Sequence, residues 1–228
     1  VENGQFSQSQ YWSWGMHYLD DIQLVLEQIS SYSYDSLMHV GCGDGRFLRE
    51  LATEYPSVDT LGIDYSERSI AMAWGMNPDL NYKVTNLISG CINKRFDIAT
   101  CIDVLEYMSP DDISTFISQI ANLVINDGYL ILTVPHKNKP VRNKHYQHFS
   151  LKDLESLLAP QFDIIECIPF DKQSKILTAL EIALGGRGKQ FIINSPSIIN
   201  TVWKVYQRRY LYPDSESNCR RIAVVCRR

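Results

Sequence analysis

The eleven residues from Leu37 to Phe47, Leu-Met-His-Val-Gly-Cys-Gly-Asp-Gly-Arg-Phe, place glycines at 41, 43 and 45 directly after a short apolar run. Phe47, Leu48, Leu51 and Tyr55 follow at helical spacing, so the stretch reads as strand, glycine turn and helix. Backbone without Cβ can take positive φ and let a ligand lie against main-chain N–H groups at the start of a helix. The same glycines also serve a tight strand-to-helix turn that binds nothing. Thr60-Leu-Gly-Ile-Asp64 then reads as a second strand ending on a carboxylate, nineteen residues after Gly45. An acid at that place accepts hydrogen bonds from the two hydroxyls of a ribose, so the expected ligand is a nucleoside. The turn is G-x-G-x-G rather than G-x-G-x-x-G, and its helix starts too close to leave room for a pyrophosphate. Adenosine without phosphates fits better.

A second group of chemically able residues is Pro135-His-Lys-Asn-Lys-Pro-Val-Arg-Asn-Lys-His-Tyr-Gln-His148, which holds three of the five histidines and four Lys/Arg. Histidine, with a free pKa of ~6.5, is the natural general base for a hydroxyl. His145 and His148 are the leading candidates, with His136 behind them. His148 also directly precedes Phe149-Ser150, where it would serve only to hold a turn. The lysines and Arg142 suit a phosphate or carboxylate on a substrate, or a solvated loop.

The elements that must position these groups alternate along the chain. Residues 11 to 30 carry Tyr11, Trp14, Tyr18, Ile22, Val25 and Ile29 on one helical face. After the first strand, a helix stops before Pro56; Ser66 caps the next helix, which Asn77-Pro78 closes. Tyr82–Thr85 is a third strand, followed by Asn86-Leu87, and Phe96–Ile102 is an apolar fourth strand buried on both faces. Ser109-Pro-Asp-Asp112 starts a helix with Ile113, Phe116, Ile117, Ile120 and Val124 toward the sheet, and Asn126-Asp-Gly128 ends it. Tyr129–Val134 is the fifth strand. Ser150-Leu-Lys-Asp153 opens a helix ending at Pro160, Phe162–Ile168 is a strand, and Arg221–Cys226 is the last one. This alternation predicts an α/β, doubly wound, mostly parallel sheet. Residues 171–218 exceed what such a sheet needs. Ile176–Leu184 reads as helix, Gly185-Gly-Arg-Gly188 as a flexible turn, and Ser195-Pro196 opens a helix with Ile199, Val202, Trp203, Tyr206 and Tyr210 on it. This helical C-terminal insertion would cap a substrate site or form a dimer surface.

His39–Gly45, Gly62–Ser66 and Phe96–Tyr107, in that order within residues 37–170, resemble the class I S-adenosylmethionine-dependent methyltransferases. The resemblance implies a seven-stranded Rossmann-like sheet whose last strand is antiparallel. It implies an N-terminal helical lid (1–36), an S-adenosylmethionine-binding core (37–170), the insertion (171–218) and a closing core strand (219–228). Tyr11, Trp12 or His17 of the lid could touch ligand, or pack on the sheet. It also implies contacts to S-adenosylmethionine from Gly41, Cys42, Gly43, Asp64, Tyr65, Asn86, Leu87 and Asp103. Methyl transfer is an in-line displacement, so donor and acceptor must be aligned and water kept out. Relatives often carry Glu-His at the end of the Asp103–Tyr107 segment; Tyr107 here removes that histidine, leaving His145, His148 and His136 as bases, and Glu106 reads mainly as a capping residue. Asp103, Glu106, His145 and His148 also resemble the ligand set of small-RNA 2′-O-methyltransferases that bind a divalent ion. Tyr107 stands where that set needs a histidine, and no metal is expected.

Composition is that of a globular protein, 45% hydrophobic and 21% charged over 228 residues. No apolar run approaches the ~20 residues of a membrane span. The start shows no secretory pattern, and the six cysteines are scattered without a C-x-x-C pair, which predicts reduced thiols in the cytoplasm. Residues 1–135 hold six Lys/Arg against eighteen Asp/Glu, and residues 136–228 hold sixteen against eight. The second half builds most of the substrate side, so the acceptor is expected to be anionic, unless the surface charges simply fell unevenly. The function expected is O-methylation of a small or medium hydroxylated molecule, such as a sugar or glycan precursor with an anionic group. RNA methylation, or cofactor binding without turnover, is the alternative; no DNA partner is expected, and a homodimer is open.

Overall fold

The computed structural model describes residues 12–141, 144–176, 196–213 and 215–228, with the side chains of 12–19, 196–200, 202 and 203 outside that description. Seven strands, β1 (Ser36–Val40), β2 (Asp59–Asp64), β3 (Tyr82–Val84), β4 (Phe96–Ile102), β5 (Val124–Pro135), β6 (Asp163–Lys172) and β7 (Cys219–Arg227), lie in the order β3-β2-β1-β4-β5-β7-β6. β1 pairs in parallel with both β2 and β4, β2 with β3, and β4 with β5. β7 runs against β5: Asp127 N–H donates to the Arg228 carbonyl (3.1 Å) and Arg228 N–H to that of Gly128 (2.9 Å). The mixed, mostly parallel seven-stranded sheet is the one expected. Its strand order reverses between β1 and β4, where ligands bind in open α/β sheets, outside the carboxyl ends of the strands.

The helices are α1 (Trp12–Ile29), α2 (Arg46–Glu54), α3 (Glu67–Met76), α4 (Pro110–Leu123), α5 (Leu151–Leu158) and α6 (Pro196–Arg209). Their starts follow the capping chemistry: Ser66 Oγ accepts from Ser69 N–H, Ser109 Oγ from Asp111 N–H, and Ser150 with Asp153 forms a full capping box. α4 ends earlier than expected. It stops at Leu123, and Val124 already belongs to β5, while Asn126-Asp127-Gly128 forms an irregularity inside the strand with Asp127 at φ 64°. The end of the chain supplies the reason, since Arg228 pairs with Asp127 and Gly128 and holds this segment in the sheet. Beyond its first residue, the predicted helix over Ile176–Leu184 lies outside the described residues, as do the Gly185–Gly188 turn, Tyr11 and the side chains of Trp12, Trp14, His17, Ile199, Val202 and Trp203.

The chain divides into two compact units, Val25–Ile168 with Ile222–Arg228, and Val1–Leu24 with Pro169–Arg221. The first has a core of fully buried side chains from β1, β4, β5 and the facing helices, among them Leu37, Met38, Phe47, Leu51, Ile98, Ile120 and Ile131. The second contains a buried polar cluster. Arg221 pairs with Asp21 (2.9 Å) and lies over the Phe170 ring, Arg220 pairs with Asp171 (2.6 Å), and Tyr206 O–H donates to Asp171 (2.9 Å). Burial pushes the remaining carboxyl, Asp20, well up, with Asp171 adding to the rise. Among the described residues no helix is long and apolar enough to cross a membrane.

Candidate functional site

Gly41, Gly43 and Gly45 all have positive φ (72°, 54° and 79°) and form the turn between β1 and α2. Gly41 and Cys42 N–H both donate to the Ile63 carbonyl (2.8 and 2.9 Å), which holds the turn to the end of β2. A Cβ on Gly41 would meet Val104 Cγ2 at 2.3 Å, and one on Gly45 would meet the Tyr82 hydroxyl at 2.3 Å, so these two glycines exist for close packing. Gly43 differs, because a Cβ there would meet nothing within 4 Å. Its N–H donates to Asp64 Oδ2 (3.0 Å), while Asp64 Oδ1 accepts from Ser66 N–H (2.9 Å). The carboxylate is therefore fixed by two main-chain donors at the tip of β2, and each oxygen keeps a further lone pair. Tyr65 follows, 80% exposed. Burial, with Asp64 and Asp44 nearby, pushes the Cys42 thiol up to about 12, so it stays protonated and is no nucleophile.

Asn86 follows β3, where Thr85 N–H donates to the Asp64 carbonyl (2.9 Å). Its own Oδ1 accepts from Ile88 N–H (3.0 Å), so the side chain closes a local turn, and Leu87 is buried. Asp103, at the end of β4, sits at φ 53° with its N–H on the Thr133 carbonyl (3.1 Å). The next residues form a single 3-10 turn, Leu105–Tyr107, in which Glu106 is buried and Tyr107 is 51% exposed.

The loop after β5 returns onto this turn through Tyr146 N–H, which donates to the Glu106 carbonyl (2.7 Å). It brings His145 Nδ1 and His148 Nε2 within 2.9 Å, and His148 Nδ1 lies 2.8 Å from the Lys139 carbonyl. A carbonyl only accepts, so His148 Nδ1 carries a hydrogen and, in the neutral ring, Nε2 accepts from His145 Nδ1–H. His145 Nε2 then bears the lone pair of the pair. Tyr107 meets the His145 ring edge-on, centroids 4.8 Å apart. His136 is buried, its Nδ1 accepting from Asn138 N–H (2.9 Å). Among the described residues no three of His, Cys, Asp and Glu form a set able to hold a metal.

Sequence reading missed three contributors: Val104 beneath Gly41, Tyr82 beneath Gly45, and the Lys139 carbonyl that sets the His148 tautomer. Tyr82 carried a signal, as the sole aromatic of a short strand; a main-chain carbonyl carries none.

Residues 38–130 match the family model described as a methyltransferase domain. Two small RNA 2′-O-methyltransferases are similar in sequence. The Arabidopsis thaliana protein is 29% identical over 128 residues, 50% of this chain and 14% of its own length. The Mus musculus protein is 28% identical over 116 residues, 43% of this chain and 29% of its own. The chain thus spans less than a third of either relative. The crystal structure of N-methyltransferase NodS from Bradyrhizobium japonicum WM9 with S-adenosyl-L-homocysteine is similar in fold, with TM-score 0.63 and 15% identity, covering 93% of this chain and 87% of that one. Domain match, strand order and the turn after β1 agree: residues 38–130 match a methyltransferase domain, and the seven-stranded sheet has the fold of solved methyltransferases.

Proposed function

We infer that the chain binds S-adenosylmethionine at the Gly41–Gly43 turn and Asp64 and methylates a hydroxyl of a small or medium acceptor, such as a sugar. The observation that carries the binding site is Gly43, open where a Cβ would stand, with its N–H fixing the Asp64 carboxylate. Gly41, Cys42, Asp64, Tyr65, Asn86, Leu87 and Asp103 line the ends of the strands on either side of the order reversal, the place such a nucleoside would occupy. When bound, S-adenosylmethionine supplies a methyl group on a positively charged sulfur. The chain's own part is to align the acceptor and remove its proton. His145 Nε2 takes the hydroxyl proton, and His148, aligned by the Lys139 carbonyl, accepts from His145 Nδ1–H and steadies the imidazolium that forms. His136 supports the turn. Among the described residues no two cysteines form a disulfide, which fits a reducing, cytoplasmic setting.

Methylation of an RNA ribose hydroxyl is the second reading, favoured by the two sequence relatives and by exposed Lys137 and Lys144 beside the histidines. Calorimetry with S-adenosylhomocysteine, followed by label transfer to hydroxylated acceptors and to RNA, tests both. Micromolar binding that Asp64→Ala abolishes and a His145→Ala, His148→Ala double variant keeps, with transfer lost in the double variant, is expected. Absence of binding to the intact chain refutes the reading. Binding without transfer to any acceptor favours a scaffold role. RNA as the acceptor would show affinity falling steeply with salt.

A further inference from the structure

A cavity of 730 Å³ opens beside His148, walled by Ile113, Phe149 and Leu157 on its apolar side and by Lys137, Gln147, Lys152, Asp153 and Ser156 on its polar side. Its volume is that of a site for a small organic molecule rather than for a lone ion. The wall is built from the first turn of α4, the first two turns of α5 and the strand-to-helix segment 147–149.

The polar side is rich in donors. The Gln147 side-chain amide nitrogen is buried and has no hydrogen-bond acceptor among the described residues, a cost that a bound acceptor would remove. Lys152 is exposed on the same wall. Asp153 does not repel an anion in proportion to its charge, because it is already committed. Ser150 N–H donates to its Oδ2 (2.7 Å), and Lys137 Nζ pairs with that oxygen at 2.7 Å. Burial alone would raise its carboxyl, but the hydrogen bonds from Lys137 and Ser150 hold it down at about 2. With Asp153 neutralised by Lys137, the wall keeps the charge of Lys152 and the Gln147 donor. His148 belongs to the cavity and to the histidine pair alike, so the two meet at its ring.

We propose that this cavity holds the anionic group of the acceptor, a phosphate or carboxylate on a small molecule with an apolar body, held by Lys152 and Gln147. The proposal rests on the methyl-transfer reading of the histidine pair.

Phenyl phosphate, which combines the apolar body and the anion, is the probe, with phenol as the neutral control. Titrated into the isotope-labelled full chain and followed by NMR, it saturably moves the Gln147 side-chain amide, the Lys152 and Ser156 backbone amides and the imidazole nitrogens of His148 and His145. Gln147→Leu and Lys152→Ala each weaken it about tenfold, the effect of losing one hydrogen bond or charge contact to an anion. Lys152 is on the surface, so its variant tests the idea even if Gln147→Leu unfolds. Equal binding in Lys152→Ala, phenol binding as well as phenyl phosphate, or histidine nitrogens that do not move would overturn the proposal. S-adenosylhomocysteine titrated into the same samples is expected to bind all of them alike. Phenyl phosphate bound by a chain that does not take S-adenosylhomocysteine would defeat the methyl-transfer reading instead, so the two failures are distinguishable.

Discussion

Gly43→Ala separates a glycine kept for its conformation from one kept for a ligand. In the free protein the new methyl meets nothing within 4 Å, so its cost is that of φ 54° alone, about 1 kcal/mol. For a chain of this size that lowers the melting temperature by roughly 2–4 °C. The backbone cannot retreat, because Gly43 N–H is anchored on Asp64 and the preceding Gly41 and Cys42 N–H groups on Ile63. The methyl must therefore project into the open space where the nucleoside is proposed to lie. Calorimetric affinity for S-adenosylhomocysteine is expected to fall at least tenfold, about 1.4 kcal/mol or more. Gly75→Ala is the control: its Cβ also meets nothing, but it lies in α3 without positive φ. It should raise stability by about 0.5–1 kcal/mol and leave affinity unchanged. An affinity within twofold of wild type in Gly43→Ala, with the chain folded, would refute the placement of the ligand on this turn.

Gly41→Ala should behave in the opposite way, since its Cβ would lie 2.3 Å from Val104 Cγ2. A loss of several degrees in melting temperature is expected, partly recovered in the Gly41→Ala, Val104→Ala double variant, and additivity of the two changes would contradict the contact. Burial lowers the His39 pKa to about 3, below its unfolded value, so the unfolded state binds the extra proton between those values. The stability it contributes is complete above about pH 6.5 and falls on acidification, by about 2 kcal/mol at pH 5. Urea midpoints of wild type and His39→Gln should diverge from pH 7.5 to pH 5, and parallel curves would show that His39 does not stay neutral. Asp171→Ala removes the partner of Arg220 and Tyr206 together and should cost about 3 kcal/mol or more by chemical denaturation. A change below 1 kcal/mol would mean the cluster is not the tie it looks to be.

Much of the fold was legible because its signals are local. The Ser109-Pro110 and Ser150-Asp153 starts, the breaks at Pro56 and Asn77-Pro78, and the apolar β4 all depend on residues a few positions apart. The misplaced end of α4 shows the limit: Asn126-Asp127-Gly128 is a sound helix stop locally, and only Arg228, a hundred residues later, draws it into the sheet. The site divides in the same way. The Gly41–Gly43 turn and Asp64 announce themselves by spacing, whereas the order among the three histidines depends on a carbonyl at Lys139 and a ring at Tyr107. Asn86 illustrates a further ambiguity, since the amide suited to a base edge is equally suited to the Ile88 turn it closes.

The proposed site residues come from separate loops, yet main-chain bonds tie most of those loops together. From one side of the sheet to the other, Thr85 bonds Asp64, Gly41 and Cys42 bond Ile63, Asp103 bonds Thr133, and Tyr146 bonds Glu106. The series follows the strand order β3, β2, β1, β4, β5, so strand register itself fixes how far the Asp64 carboxylate stands from the loops that carry the histidines. Side-chain substitutions in these loops leave that framework standing. A rigid frame with replaceable side chains is what lets such a sheet keep one nucleoside site while the acceptor side changes. On this reasoning the determinants of the acceptor lie in residues outside the series of bonds, Gln147 and Lys152 among them, and substitutions there should alter acceptor affinity without altering affinity for S-adenosylhomocysteine.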